Sequence, residues 1–313
     1  MSAGSSLRSV PRKRRIVDGI LLLDKPLGVS SNKALQQVRW LYGAAKGGHT
    51  GSLDPLATGL LPLCFGQATK VCGYLLDADK SYEVVCRFGA RTTTGDREGE
   101  VVETGPIDAD RLAALPAVLE RFIGEIDQIP PMYSALKHEG ERLYRLARQG
   151  KDVERPPRRV HIHAASVLSQ SGVEATLRIR CSKGTYVRTL VEDVAVALGT
   201  VAHVHALRRV ALGPFALDDG SHDMAALQRC AEAGSFAALD DLLMPLDAAL
   251  QHYPALAVNE ALAFYLGQGS AVTVPSTEPA GTTVRLYGPG KRFLGMGEML
   301  ADGRCAPRRL MHA

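Results

Sequence analysis

Apolar and polar positions along this chain change their spacing several times, and each change marks an element. GILLLDKP (19–26) is a short unbroken apolar run halted by a turn, which predicts a buried strand. SSNKALQQVRWLYG follows with Leu35, Val38 and Leu41 at helical spacing, Ser31 as the expected N-cap and Gly43 just past the C-terminus. The apolar stretch from about Pro55 to Leu76 predicts a helix broken near Pro62 and Gly66. SYEVVCRFGA then alternates, with Tyr82, Val84, Cys86 and Phe88 on one face, the period of a half-buried strand.

Helical spacing returns in DADRLAALPAVLERFIG. Residues 129–158 are polar, basic and flanked by prolines, which predicts an insertion standing off the core with one helix near 139–149. RVHIHAASVLSQ and EATLRIRCSKG alternate as a strand pair, and Val187, Leu190, Val191, Val194 and Leu198 form an amphipathic helix ending at Gly199. A helical, acidic-apolar stretch reaches about 250. Beyond it, short strands between Gly/Pro turns predict a small β-barrel. Strands and helices alternate without a regular βαβ period, so the fold class expected is α+β. The expected division is a disordered basic tail over 1–16, a catalytic domain over 17–250 and a β module over 251–313.

Composition narrows the class. The 313 residues are 46% hydrophobic and 22% charged, ordinary for a globular chain, and no apolar run approaches the roughly 20 residues of a membrane span. The basic N-terminus lacks an apolar h-region, so no secretory signal is expected. Six cysteines without CxxC spacing, mostly in apolar stretches, fit buried thiols in a reducing compartment and hence a cytoplasmic location. The net charge of +4 says little, but its distribution says more: PRKRR at 11–15, ERPPRR at 154–159 and LRR at 207–209, with Lys137, Arg142, Arg145 and Arg148 between. Charge alone fits either solvated faces or a polyanion-binding surface.

The candidate chemistry sits in GGHTGSLDPLATGLLPL (47–63), a glycine-rich loop presenting the single carboxylate Asp54. Asp-Pro before an apolar run is a helix-start signal, so Asp54 could be an N-cap and nothing more. The glycines ahead of it, His49 in the same loop and the positive end of the expected helix favour an ionised nucleophile or base. No GxxxxGK[ST] is present, which excludes a nucleotide P-loop. His161, His163, His203 and His205 form two H-x-H pairs without an HExxH or cysteine set, so no metal is expected. CSKGTYVRTLVED sets Arg188 in the first turn of a helix, where a cation opposes the dipole. Its planar fork suits a pair with Asp54 and a substrate phosphate; the other reading is a surface arginine.

GHTGSLDPLATGLLP resembles the catalytic-aspartate motif of the TruB family of tRNA pseudouridine synthases. LLLDKPLGVSS, KSYEVVCRFGARTTTGD, PPMYSALKHEGERLYRLAR, CSKGTYVRTLVEDVA and AHVHALRRV resemble its companion motifs, in the family's order, over about residues 19–215. The C-terminal tail resembles the family's PUA-type module more weakly. This resemblance implies the pseudouridine synthase fold, a mixed and largely antiparallel sheet with flanking helices around a central RNA cleft. It implies conversion of uridine 55 in the tRNA T-loop to pseudouridine, with Asp54 as the catalytic carboxylate. Tyr82 is then the ring that stacks on the base and a candidate base, Arg188 the partner of Asp54, and Leu207 part of the pocket wall. His49 and Tyr186 become further substrate contacts. Lys25 and Pro26 belong to a motif that supports the active-site loop, and Lys25 also counts among the RNA-binding residues. The segment 129–158 becomes an RNA-binding thumb, with Lys137, Arg142, Arg145, Arg148 and Lys151 on phosphates. The tRNA T-arm is the expected partner, with no membrane, no obligatory protein partner, a monomeric state and no cofactor. The rival readings are an RNA-binding helper of tRNA folding and a related synthase acting on other RNA.

Overall fold

The structure, a computed structural model, describes residues 14–311. The expected tail therefore lies mostly outside the described residues. Arg15, assigned to it, is docked instead: its N–H donates to Gly43 O at 2.8 Å and its guanidinium Nη1 stands 2.7 Å from Asp240.

Strand β1 (Gly19–Lys25) leads into helix α1 (Ser31–Leu41), and β2 (Gly47–His49) and β3 (Ala57–Phe65) bracket the loop that carries Asp54. After α2 (Cys72–Leu76) come β4 (Lys80–Phe88), the hairpin β5 (Ala90–Thr92) and β6 (Val101–Thr104), then α3 (Ala109–Ala113), α4 (Leu115–Glu120) and β7 (Gly124–Gln128). The insertion holds two-residue strands β8 (Lys137–His138) and β9 (Glu141–Arg142) and helix α5 (Leu143–Arg148). Then follow β10 (Arg158–Ser171), β11 (Glu174–Cys181), α6 (Val187–Ala197), β12 (Ala202–Leu212), β13 (Phe215–Ala216), β14 (His222–Asp223), α7 (Met224–Glu232) and α8 (Phe236–Asp240).

Ten of these strands form one sheet, in the order β14-β1-β3-β12-β4-β11-β10-β7, with β2 on β3 and β13 on β12. Pairing is antiparallel except at β1–β14 and β3–β12. β4 follows its sequence pattern, with Tyr82, Val84, Cys86 and Phe88 all buried. The decisive registers are at the centre. β12 sets Leu207 and Arg209 opposite Ala57 and Gly59 of β3, and sets Arg209 opposite Tyr82 of β4. Segments far apart in sequence thereby meet on neighbouring strands.

The helix expected over 55–76 is instead strand β3, a short 3₁₀ turn (Gly66–Lys70) and the single turn of α2. β3 is buried along nearly its whole length, so its apolar run lacks the alternation that distinguishes a strand from a buried helix. Pro62 is tolerated because it falls between the part of β3 paired with β12 (57–59) and the part paired with β2 (63–65). At α1 the N-cap is Ser30, whose hydroxyl accepts from Lys33 N–H, and not Ser31.

The C-terminal region builds a separate five-stranded sheet from β15 (Ala255–Ala257), β16 (Val272–Thr273), β17 (Thr283–Tyr287), β18 (Phe293–Met299) and β19 (Arg304–Leu310), in the order β15-β17-β18-β19-β16. It is a half-barrel with its own core around Leu266, Val284, Leu286 and Cys305, consistent with a PUA-like module. Helix α9 (Glu260–Gly267), which the sequence pattern did not announce, packs against that core through Leu266 and leaves Phe264 and Tyr265 exposed. Met296 joins Ile20, Leu22, Leu60 and Phe215 in a second cluster that seats the module on the large sheet. All six cysteines are free. Among the described residues no helix is long and apolar enough to cross a membrane.

Candidate active site

The loop ahead of Asp54 is pinned by a serine hydroxyl. Leu53 N–H donates to Ser31 Oγ at 2.7 Å, and that hydroxyl donates back to Leu53 O at 3.1 Å. On the other side Ala57 N–H donates to Asp54 O at 3.0 Å, closing a turn with Pro55 at its second position, where a fixed φ is favourable. The helix cap and helix dipole expected at Asp54 are therefore absent; the carboxylate is presented by a turn. Gly51, at φ +83°, supplies the left-handed bend that brings the chain from Thr50 to Leu53.

Asp54 stands half-exposed at the mouth of a hollow of about 180 Å³, whose wall includes Tyr82, Ser134, Tyr186, Arg188 and Leu207. That is smaller than the roughly 300–1,000 Å³ of sites for drug-sized ligands, and suits a single ring. Arg188, the second residue of α6, is 6% exposed, and its Nη2 lies 3.0 Å from Asp54 Oδ2. The same guanidinium donates to Tyr133 O at 2.7 Å and to Thr94 O at 2.8 Å. Three acceptors thus surround a cation whose position at a helix N-terminus is otherwise unfavourable. One of them, Tyr133, belongs to the insertion. Gln128 holds the neighbouring backbone, accepting from Tyr186 N–H at 3.0 Å. Burial raises the pKa of both Tyr82 and Tyr186, which keeps the phenols protonated near neutrality.

Below the hollow lie cations whose burial the sequence did not announce. Lys25 has no exposed surface; its Nζ donates to Pro26 O at 2.9 Å and Val29 O at 2.6 Å. Burial is the chief cause of its pKa falling to about 8. Its expected place among RNA-binding residues is corrected, because a fully buried ammonium does not touch phosphate. It holds the 26–29 turn, from which Gly28 N–H donates to Pro55 O at 2.8 Å, next to Asp54. Lys80 is likewise buried, brought mainly by burial to about 8, and donates to Leu76 O at 2.8 Å. Arg209, 1% exposed, donates from Nε to Leu60 O at 2.7 Å and from Nη2 to Gly51 O at 3.3 Å, and stands opposite Tyr82 in the β12–β4 register, where the two side chains interact electrostatically. The available signal is strand alternation, since Leu207 and Arg209 are two residues apart on β12 and share a face. Arg208, on the other face, pairs with Asp24 at 2.7 Å.

His49 lies on β2 outside the lining of the hollow. Its Nδ1 is buried without a hydrogen-bond partner, and burial, aided by the Arg209 charge, lowers its pKa. Lys137, Arg142, Arg145 and Arg148 are on the insertion, outside the lining of the hollow, and all four are exposed. Of the histidine pairs, the His161 and His163 rings lie 4.7 Å apart, tilted by 38°, with His163 Nε2 3.0 Å from Asp79, while His203 Nδ1 meets Ala90 O at 2.8 Å. Among the described residues no group of three or more His, Cys, Asp or Glu is arranged to hold a metal ion.

Residues 39–187 match the TruB family pseudouridylate synthase N-terminal domain. Residues 188–251 match the tRNA pseudouridylate synthase B C-terminal domain, and 254–311 the pseudouridine synthase II TruB C-terminal domain. The chain is 52% identical over 98% of its length to the tRNA pseudouridine synthase B of Stutzerimonas stutzeri (strain A1501), covering all of that protein. It is 53% identical over 98% of its length to the tRNA pseudouridine synthase B of Ectopseudomonas mendocina (strain ymp), covering 99% of it. A chain in the crystal structure of a Cbf5-Nop10-Gar1 complex superposes with a TM-score of 0.73 at 23% identity, over 99% of this chain and 90% of that one. At that identity the likeness shows the fold.

Proposed function

We propose that this chain, which belongs to the TruB family of pseudouridine synthases, isomerises uridine to pseudouridine in tRNA, at position 55 of the T-loop. The observation that carries the reading is Asp54, ion-paired with the buried Arg188 at 3.0 Å, at the mouth of a one-ring hollow walled by Tyr82 and Leu207. A uridine stacked in a folded loop cannot present its glycosidic bond to a carboxylate, so it must swing out, and the hollow receives it. Tyr82 offers a ring face to the base; such stacking is worth about 1–3 kcal/mol. Leu207 and Tyr186 complete the wall, and His49, outside it, is assigned to contact the RNA beside the extruded nucleotide.

Arg188 orients the Asp54 carboxylate and balances its charge while the bond from C1′ to N1 breaks. The base then turns within the hollow, C5 bonds to C1′, the C5 proton leaves and N1 gains one. The product is an isomer, so no electron acceptor enters the reaction. Attack at C1′, addition to the ring and elimination to a glycal each require a carboxylate at the glycosidic bond, which is the role assigned to Asp54. In this reading residues 17–250 form the catalytic domain and 251–313 the PUA-like module. Residues 129–158 form a thumb whose cations meet tRNA phosphates. The chain acts alone, as a monomer in the cytoplasm.

The test is mass-spectrometric mapping of an unmodified tRNA transcript after incubation with the purified chain. One new pseudouridine, at position 55, is expected, and none in a transcript carrying cytidine there. Tight binding of the transcript without any isomerisation would replace this reading by that of an RNA-folding helper.

A further inference from the structure

Arg209 lies at the centre of the sheet, where β12 runs between β3 and β4. Among the described residues it is the largest fully buried side chain, and no carboxylate among them stands within ion-pair distance of it. An apolar side chain of similar length would fill the same space without the desolvation that a guanidinium suffers. The charge therefore needs a use, and its surroundings indicate one. Leu60 O belongs to β3 and Gly51 O to the bend ahead of Asp54, while Tyr82, paired with Arg209 in register on β4, feels the guanidinium charge. The approach is also built from the other side. Gly59 sits at φ +98° opposite Arg209, and a Cβ there would lie 2.3 Å from Arg209 O, so β3 gives up a side chain to let β12 close in.

We infer that Arg209 is a positioning residue for the reaction, fixing the Tyr82 ring and the Gly51 bend in one geometry through a single rigid fork. The inference rests on the isomerase reading given above. The ring that receives the base and the bend that leads to the carboxylate belong to different segments, and Arg209 is the side chain they share: it donates to Gly51 O and lies opposite Tyr82 in register. A one-ring hollow tolerates little drift between stacking surface and carboxylate, since small misplacements cost rate steeply. Arg209 also pulls the Tyr82 phenol down against the larger upward push of burial, so the two side chains are coupled electrostatically as well as by geometry.

The experiment compares Arg209→Gln and Arg209→Lys in the wild-type and Tyr82→Phe backgrounds, reading single-turnover pseudouridine formation, tRNA affinity and the ultraviolet titration of the Tyr82 phenol. Arg209→Gln is expected to slow turnover at saturating tRNA by about a hundredfold, with affinity held within about threefold. Arg209→Lys, which keeps the charge and part of the bonding, is expected to restore about tenfold of that loss. In the Tyr82→Phe background the Gln change should cost at least about tenfold less, the mark of two side chains acting as a unit. The phenol signal missing from Tyr82→Phe should move to higher pH in Arg209→Gln. Equal losses in both backgrounds, or an unmoved phenol, would reduce Arg209 to packing. Should Arg209→Gln fail to bind tRNA, the Lys variant carries the same comparison. If wild type forms no pseudouridine the isomerase reading fails, while the phenol titration still decides whether Arg209 and Tyr82 are coupled.

Discussion

Two groups of cations in this molecule are chemically alike and physically opposite. Lys25, Lys80, Arg188 and Arg209 are buried beneath or beside the hollow, and each has at least one backbone carbonyl as its acceptor. Lys137, Arg142, Arg145 and Arg148 belong to the insertion and keep contact with solvent; Arg142 reaches Ala135 O, and Arg148 lies over the Tyr144 ring at 5.6 Å. Burial converts a cation into a directional device, because each donor has one place to go and the charge is unscreened. Exposure leaves charge that acts by number and fades with salt. The first group can set the geometry of a reaction; the second can set how strongly a polyanion is held.

Removing the carboxylate that the buried group surrounds is the strongest way to break the contrast. Asp54→Asn keeps shape and removes charge, and is expected to lower single-turnover isomerisation by more than about a thousandfold while tRNA affinity stays within about threefold. Turnover near wild type would end the division of labour at once. Next in size is Arg188→Met, which leaves Asp54 Oδ2, Thr94 O and Tyr133 O without their shared donor. A drop of about a hundredfold or more in rate is expected. Because Tyr133 roots the insertion, cleavage of residues 129–158 by a trace of protease should also quicken; an unchanged digestion rate would show that Arg188 serves Asp54 alone.

Lys25 gives a smaller effect with a definite sign. Unfolded, the ammonium titrates near 10.5; folded, near 8. Between those values the unfolded chain binds the extra proton, so stability rises with pH through this residue, and below 8 the burial penalty is present in full. Urea unfolding of wild type and Lys25→Met should therefore show wild type gaining on the variant by on the order of 2 kcal/mol between about pH 7.5 and 10. Other titrating groups, Lys80 and the buried phenols among them, cancel in the difference. A gap that stays constant with pH would place the Lys25 ammonium in water and undo its membership of the buried group.

The same contrast explains what the sequence discloses. The alternation of β4 identifies Tyr82 as inward-facing because one face is buried and the other is not, which is a local property. β3 reads as helix because both its faces are covered, Leu61 and Leu63 by one hydrophobic cluster and Leu60 and Cys64 by another that includes Leu250 and Met296, residues distant in the chain. The insertion's cations are legible as charge between prolines. The burial of Lys25 and Arg209 is not: the carbonyls that receive Arg209, those of Leu60 and Gly51, come from distant segments through register, while Lys25 turns inward onto its own turn at Pro26 and Val29. Asp54 stands out through its glycine-rich loop, yet its presentation by a turn rather than a helix depends on the same strand that reads as helix.

The least disruptive test touches only the solvent-facing group. Replacing Lys137, Arg142, Arg145 and Arg148 together by alanine leaves the core of the large sheet whole, so melting temperature and turnover at saturating tRNA should stay close to wild type. Binding should weaken most at low salt. A plot of log affinity against log salt should flatten by roughly 0.7–0.9 for each phosphate that the variant no longer neutralises, because each neutralised phosphate releases about that many condensed counterions. Arg209→Gln, by contrast, should leave the slope untouched while slowing the chemical step. A quadruple variant with the wild-type slope would mean that the insertion does not track the phosphate backbone, and its cations would then be solvated surface and nothing more.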